Sequence, residues 1–152
     1  MIKLEAKPTN IYIIQVHFPT TRSTEEDIEE MYVQVEELLQ LTENNANIFI
    51  TGDFNASVSC EGSNNSGKFG LENVNERGKR LIEFCKQHEL IISNTYFEVP
   101  LRRHYTLKAP GNITRYQIDF ILVKNKYKNQ ITFCYVYPGF DVDSDHNLVI
   151  AK

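Results

Sequence analysis

Two polar side chains directly follow a short apolar segment in the first half of the chain. The segment 48–50, Ile-Phe-Ile, is typical of a buried strand; Gly52 ends it, and Asp53 and Asn55 come next. Because side chains two residues apart on an extended backbone point the same way, a carboxylate and a carboxamide would lie side by side at the open end of a core strand. Such a pair could hold a water molecule and meet a phosphate oxygen. The alternative is an ordinary turn, since Gly, Asp and Asn are the usual turn residues.

Further groups capable of chemistry lie at the ends of predicted strands or inside them. They are His17, Asp119, Asp145 and His146. Asp119 lies within the apolar segment 116–123, where an unpaired charge is costly, so we expect it to have a partner. If the strands form one layered core, all these groups converge on one rim. Carboxylates that hold a divalent cation, with imidazole and amide groups bonding to phosphate oxygens, suit metal-assisted phosphoryl chemistry.

Strands and helices are predicted around these groups from the spacing of apolar residues. Alternation predicts a strand at 2–6, which pairs as a hairpin with an apolar strand at 11–16. Later strands are predicted at 90–93, 104–107, 116–123, 131–137 and 148–151. The segment 57–72 is rich in Gly, Ser and Asn and has little to bury, so we expect a mobile surface loop there.

Two helices are predicted from apolar residues at helical spacing. The first starts at an N-cap on Ser23 or Thr24, with Glu26 or Asp27 as the capping-box partner, and runs to about Glu43. The second starts at a cap on Asn73 or Asn75 and ends near His88. The exposed face of the first helix is acidic.

Charge is distributed unevenly along the 152 residues. The net charge is −4, but residues 1–61 carry 11 acidic and 3 basic side chains, whereas residues 62–152 carry 9 acidic and 13 basic ones. An acidic total argues against a simple basic nucleic-acid binder. A basic second half keeps a polyanionic partner open, and a solvated charged face is the alternative. Its cations include Arg102, Arg103, Lys108, Arg115, Lys124, Lys126 and Lys128.

The cysteines and the distribution of apolar residues exclude several classes of protein. The three cysteines, Cys60, Cys85 and Cys134, are far apart and form no Cys-x-x-Cys pair. This favours a reducing compartment over a disulfide framework or a zinc site. No apolar run approaches the roughly 20 residues of a membrane span, and the N-terminus lacks a signal-peptide pattern. We therefore expect one intracellular globular domain without a membrane partner.

Three separated motifs resemble those of the endonuclease/exonuclease/phosphatase superfamily, in the same order. They are Gly52-Asp53-Phe54-Asn55, Gln117-Ile118-Asp119-Phe120-Ile121 and Ser144-Asp145-His146. Two further stretches, 73–85 and 94–97, look like the endonuclease domain of non-LTR retrotransposons and the related craniofacial development protein 2 group. The resemblance implies an α/β fold, a layered β-sandwich flanked by helices of the DNase I-like kind. It also implies a metal-dependent endonuclease acting on DNA in the nucleus.

Roles for individual residues follow from this resemblance. It implies that Asp53 and Asn55 position the attacking water and the phosphate. His146 would face the phosphate while paired to the buried Asp119, and Asp145 would have a metal or proton-transfer role. The metal would be Mg²⁺ or Mn²⁺, since the predicted ligands are oxygens.

Substrate contacts are predicted for five more residues. The resemblance implies His17 and Thr106, because His17 stands where relatives carry a Tyr before x-Pro and Tyr105-Thr106-Leu107 stands where they carry Thr-Trp. The basic second half adds Arg102, Arg103 and Arg115 as first candidates for DNA contact. With Leu107 in place of Trp, the chain has no flat surface there for stacking beside DNA.

A further departure concerns the start of the domain. Relatives begin with a segment carrying an Asn and a metal-binding Glu, and residues 1–152 contain no match to it, because Glu5 lies in a different context. We therefore expect a partial domain, the later part of the DNase I-like fold, with impaired hydrolysis. A phosphatase or phospholipase of the same superfamily, or a non-catalytic remnant that retains a binding surface, are the alternatives.

Overall fold

The computed structural model describes residues 1–20, 22–58, 64–71, 74–109, 111, 114–139 and 143–152. A five-stranded mixed sheet lies at its centre. From one edge to the other its strands are β1 (Ile2–Leu4), β2 (Ile11–His17), β3 (Asn47–Asp53), β7 (Asp119–Lys124) and β4 (Leu90–Ile92). The predicted hairpin is confirmed, since β1 pairs antiparallel with β2.

Two helices cover one face of this sheet, α1 (Glu25–Gln40) and α2 (Glu76–Gln87). Thr24 begins α1 through a capping box with Asp27: the Asp27 amide donates to the Thr24 hydroxyl and the Thr24 amide donates to the Asp27 carboxylate. Asn75 begins α2 by accepting a hydrogen bond from the amide of Gly78 at 2.8 Å. Of the predicted caps, Thr24 and Asn75 are therefore the ones used. In the described residues, neither helix is long and apolar enough to cross a membrane.

Apolar side chains pack on both faces of the sheet. The main core lies between the sheet and the helices, where Ile14 and Ile50 of the central strands are fully buried. Phe18 and Phe54 stack in this core with ring centroids 5.3 Å apart. A smaller cluster on the opposite face contains Ile91, Val123, Ile131 and Cys134. Helices on one side and a second apolar layer on the other give the predicted layered α/β arrangement.

Two small antiparallel sheets complete the described fold. One pairs β5 (Leu107–Lys108) with β6 (Arg115–Tyr116), and the other pairs β8 (Cys134–Tyr137) with β9 (Leu148–Ala151). Short 3₁₀ helices occupy Ser93–Thr95, Leu101–Arg103 and Asn125–Gln130. The first of them takes Ser93 from the strand expected at 90–93, which ends at Ile92. The strand expected at 131–137 is also shorter and begins at Cys134. His104, expected at the start of a strand, lies in a turn.

Part of the segment predicted as a mobile surface loop is packed against the sheet. Asn65 and Ser66 are 7% and 1% exposed. The side-chain amide of Asn65 donates to the carbonyl of Leu90 at 2.7 Å, and Ser66 forms a β-bridge with Ile92. The polar composition misled the prediction for these residues, because their polar groups are satisfied by backbone partners and can be buried. Residues 59–63 and 72, including Cys60, lie outside the described residues, whereas Cys85 and Cys134 are buried free thiols.

Candidate active site

The strand register places three predicted site residues in one row at one end of the central sheet. His17, the last residue of β2, pairs with Asp53, the last residue of β3. Asp53 in turn pairs with Asp119, the first residue of β7. Because paired residues on neighbouring strands point to the same face, the imidazole and the two carboxylates share one side of the sheet.

His146 lies just before β9 and is held beside this row by backbone contacts with β5. The chain around it pairs with β5: a β-bridge joins His146 to Leu107, and the amide of Lys108 donates to the carbonyl of Asp145 at 3.0 Å. The amide of Asn147 donates to the carbonyl of Thr106 at 2.7 Å. These backbone bonds fix His146 opposite the central sheet.

Asp119 and His146 form the closest side-chain contact of the site. The ring nitrogen Nδ1 of His146 lies 3.0 Å from Oδ2 and 3.2 Å from Oδ1 of Asp119. A carboxylate only accepts hydrogen bonds, so Nδ1 carries the proton. Nε2 then faces the other carboxylate, 4.0 Å from Oδ2 of Asp53. The partner expected for the charge of Asp119 is therefore His146, and the pairing fixes the orientation of the ring.

Asp53 is held by the turn that follows its strand. The backbone amide of Asn55 donates to Oδ1 of Asp53 at 2.8 Å, which is the hydrogen bond of an Asx turn. Asn55 has a positive φ of 46°, a conformation that Asn tolerates. A side chain at Gly52 would place Cβ 1.9 Å from the carbonyl oxygen of Val16, so only glycine fits where β3 meets β2. The turn alternative for this stretch is therefore present, and it holds the carboxylate of Asp53 in place.

The pKa of the Asp53 carboxyl is raised above its ordinary value. Burial is the main cause and the charge of Asp119 adds to it. The hydrogen bond from Asn55 and the nearby imidazoles of His146 and His17 act in the opposite direction. A carboxylate that holds its proton more tightly is a better base at neutral pH, as proton abstraction from water requires.

The residues of this rim fit a divalent cation. Asp53, Asp119 and His146 each offer a ligand atom, and these atoms lie within 4.8 Å of one another. Carboxylate oxygens suit Mg²⁺ and Mn²⁺, and an imidazole nitrogen adds affinity for the latter. Asp145, the predicted metal residue, is exposed and is not part of this group. The metal role of Asp145 stays a prediction, and the central strands bring together two further carboxylates, those of Asp53 and Asp119.

Thr106, for which substrate contact is predicted, supports the backbone at the start of β7. Its side chain is fully buried. The hydroxyl oxygen accepts hydrogen bonds from the amides of Ile118 at 3.0 Å and Asp119 at 3.1 Å. Thr106 therefore fixes the backbone at the start of β7, and with it the carboxylate of Asp119.

Asn94 bonds to the same strand, β7, through its side chain. The sequence did not predict it as a site residue. Its side chain is 3% exposed; Oδ1 accepts from the amide of Ile121 at 2.9 Å and Nδ2 donates to the carbonyl of Asp119 at 3.2 Å. The resemblance of 94–97 to retrotransposon endonucleases was the only signal for it. A buried amide bonded on both sides holds the strand end in place.

The three arginines predicted to contact DNA lie outside the group of Asp53, Asp119 and His146. Arg102 is exposed in a 3₁₀ helix. The guanidinium of Arg103 lies 4.9 Å from the ring centroid of Tyr135, and that of Arg115 lies 5.6 Å from the ring centroid of Tyr105.

Comparisons with known proteins find similar sequences. A family model described as Endonuclease-reverse transcriptase matches residues 11–150. Craniofacial development protein 2 from Bos taurus and from Tragulus javanicus are each 40% identical over 152 residues, which is 99% of this chain. The chain spans 26% of the length of each of these curated relatives.

Solved structures share the fold at low sequence identity. The endonuclease domain of TRAS1, a telomere-specific non-LTR retrotransposon, superposes with a TM-score of 0.64 at 15% identity, covering 95% of this chain and 58% of that one. The 3′ phosphatase NExo from Neisseria, bound to a product DNA hairpin, gives a TM-score of 0.67 at 15% identity, covering 99% and 63%. The predicted α/β, DNase I-like class is therefore confirmed.

Proposed function

Because this chain belongs to the Endonuclease-reverse transcriptase family, within the endonuclease/exonuclease/phosphatase superfamily, we propose that it hydrolyses phosphodiester bonds of DNA with a divalent metal ion, as a retrotransposon-type endonuclease. One observation carries the proposal. The Asp119–His146 pair presents Nε2 of the imidazole 4.0 Å from the second carboxylate, Asp53. An oriented imidazole facing a carboxylate is an arrangement suited to bringing a phosphate and a water molecule together.

Each polar group of the rim has a role in this proposal. Asp53 and Asn55 hold the attacking water, whose oxygen bonds to phosphorus while the P–O bond to the leaving strand breaks. The leaving oxygen takes the electron pair of that bond and is protonated by solvent. Asp53 takes the proton of the water, which its raised pKa favours. His146, oriented by Asp119, donates from Nε2 to a phosphate oxygen when its ring carries both protons, as negative charge builds up there. Mg²⁺ or Mn²⁺ bound to the carboxylates would neutralise part of the phosphate charge.

DNA contact outside the rim is assigned to cations of the second half of the chain. Arg102, Arg103 and Arg115 stay the first candidates, because this half carries the excess of basic residues. His17 is a further candidate for hydrogen bonding to phosphate: its side chain is 75% exposed and its Nε2 lies 4.0 Å from Oδ2 of Asp53. Asp145, exposed one residue before His146, stays a candidate for a metal or proton-transfer role at the same phosphate.

A second candidate function is removal of a terminal phosphate from DNA. It is favoured by the similarity to a 3′ phosphatase with product DNA, a fold match that covers 99% of this chain. The same rim would serve, because the attack of water on phosphorus is the same and only the leaving group differs.

Supercoiled plasmid distinguishes the two reactions. We expect nicking with Mn²⁺ or Mg²⁺ that stops with a chelator and is abolished in Asp119→Asn. A hairpin oligonucleotide with a 3′ phosphate, assayed in parallel for inorganic phosphate, reports the phosphatase reaction, and a phosphoinositide substrate tests the lipid-directed members of the superfamily. Phosphate release without nicking would replace the endonuclease proposal with the phosphatase. Metal-independent nicking that survives in Asp119→Asn would refute both.

A further inference from the structure

The loop that leaves β2 at the reactive rim is held by side chains from distant parts of the chain. Three consecutive carbonyl groups, those of Phe18, Pro19 and Thr20, each accept a side-chain hydrogen bond. Asn55 Nδ2 donates to Phe18 at 2.9 Å. Arg77 donates from Nη1 to Pro19 and from Nη2 to Thr20, the latter at 2.7 Å. One guanidinium on α2 thus binds two carbonyl groups that lie 57 and 58 residues earlier in the sequence.

The position of His17 depends on this loop. Its imidazole is 75% exposed, so few side-chain neighbours constrain it and its backbone largely determines where it lies. On one side that backbone is part of β2, paired with Asp53. On the other side it continues into Phe18, whose amide donates to the carbonyl of Asp53 at 2.8 Å, and into the carbonyls bound by Arg77.

The first turn of α2, which carries Arg77, is itself held in place. Asn75, the N-cap of α2, accepts a hydrogen bond from the amide of Ser57 at 3.1 Å and donates its own amide to the carbonyl of Ser57 at 3.1 Å. A Cβ at Gly78 would lie 1.8 Å from that same carbonyl oxygen, so glycine permits the helix to approach this closely. The first turn of α2 therefore joins two loops of the rim, the one after β3 and, through Arg77, the one after β2.

We propose that Arg77 is a positioning residue of the active site, which holds the loop 17–20 so that the His17 imidazole stays beside Asp53. The planar guanidinium suits this task because its N–H groups diverge in a fixed fork that can meet two neighbouring carbonyls at once. A lysine has a single ammonium at the end of a flexible chain and reproduces this geometry poorly. The consequence for hydrolysis rests on the proposed function, whereas the consequence for the loop does not.

Arg80, one turn later on the same helix, offers a matched control. Its guanidinium forms a two-pronged ion pair with Glu29 of α1, at 2.7 and 2.8 Å, and lies 4.3 Å from the ring centroid of Tyr32. It joins helix to helix and makes no described contact with the loop 17–20. Arg77→Gln and Arg80→Gln therefore remove the same charge from the same helix, but only the first removes the donors to the rim.

The test compares these two variants with the unchanged chain and with Arg77→Lys. The first measurement is hydrogen exchange at the Phe18 amide together with the ¹⁵N chemical shifts of the His17 imidazole. We expect Arg77→Gln to speed exchange at Phe18 at least tenfold and to shift the His17 signals, with a smaller effect in Arg77→Lys. Arg80→Gln should leave the exchange rate at Phe18 and the His17 signals unchanged. It should lower the free energy of unfolding in urea at least as much as Arg77→Gln does.

Hydrolysis provides the second measurement. Metal-dependent plasmid nicking should fall at least tenfold in Arg77→Gln and stay within twofold in Arg80→Gln. Equal exchange rates and His17 shifts in the two variants would overturn the positioning role, because Arg77 would then act on stability alone. Loop responses as expected, with normal nicking in Arg77→Gln, would refute the link to catalysis. Loop responses as expected in a chain that never nicks DNA would refute the endonuclease proposal and leave the role of Arg77 intact.

Discussion

Asp53 and Asp119 lie directly opposite each other in the neighbouring antiparallel strands β3 and β7. Like charges in this arrangement destabilise a sheet, and the charge of Asp119 is one of the causes that raise the pKa of Asp53. The two paired carboxylates at this strand end therefore lower the stability of the folded state. Such a loss of stability is common at functional sites.

Replacing Asp53 by Asn should stabilise the chain at neutral pH. An acid whose pKa is raised by folding stabilises the folded state when protonated, and this contribution is lost as the pH rises through the raised value. We expect Asp53→Asn to increase the free energy of unfolding by about 0.5–1 kcal/mol at pH 7. The gain should shrink as the pH falls towards the ordinary pKa of 3.8. Urea denaturation at both ends of this range checks it; a variant less stable than the unchanged chain at pH 7 contradicts it.

Removal of the His146 imidazole should impair hydrolysis strongly. We expect His146→Ala to lower metal-dependent turnover by roughly 10²–10⁴-fold, the range of a positioned acid–base group. Asp119→Asn should act in the same direction, because an amide can donate to Nδ1 and so favour the wrong tautomer. His88→Ala is the control, since His88 pairs with Glu36 at 2.9 Å between the helices. Unchanged turnover in His146→Ala would remove it from the catalytic group.

Metal binding should depend on the two central carboxylates. We expect Mn²⁺ and Mg²⁺ each to raise the Tm, because the carboxylates of Asp53 and Asp119 lie together in the folded chain and a cation bound there stabilises it. Both shifts should disappear in Asp119→Asn. Thermal unfolding across a metal titration measures this, and an identical shift in the variant would show that the ions bind elsewhere.

The buried hydroxyl of Thr106 should matter for stability more than its size indicates. Thr106→Val keeps the shape of the side chain but leaves the amides of Ile118 and Asp119 without the acceptor they use. Each unsatisfied buried donor costs about 1–3 kcal/mol, so we expect a loss of about 2 kcal/mol or more in the free energy of unfolding. Thr106→Ser, which keeps the hydroxyl, should lose much less. Equal losses in the two variants would show that the hydroxyl contributes no more to stability than the methyl group.

DNA binding should become less sensitive to salt when the arginine candidates are neutralised. If Arg102, Arg103 or Arg115 binds a phosphate, its replacement by Gln should reduce the slope of log K against log salt by about one unit. Lys79→Gln is the control, because Lys79 pairs with Glu76 on exposed α2. Fluorescence anisotropy with a labelled duplex gives the slopes. If Arg102→Gln and Lys79→Gln leave the same slope, Arg102 does not contact DNA.

The sequence predicted some of these relationships and not others, for physical reasons. The partner of Asp119 was predictable, because a charge in an apolar strand needs one and the resemblance supplied His146. The sequence limited the N-cap of each helix to two candidate residues, because capping depends on local spacing. Thr106, Asn94 and Arg77 were not predictable in their roles, because their hydrogen bonds go to backbone groups of residues distant in sequence, and backbone groups have no sequence signature. Asn65 and Ser66 were placed at the surface for the same reason.

The register between β2, β3 and β7 has a consequence for how this site can change. Ile48 and Ile50 are buried because they face the helices, and Asp53 faces the other way because it lies an odd number of residues further along the strand. A slip of β3 by one residue would move both isoleucines to the opposite face of the sheet and turn the carboxylate into the apolar core. Core packing therefore determines the face on which Asp53 lies. Substitutions in β3 that preserve the core also preserve the register that pairs residue 53 with His17 and Asp119.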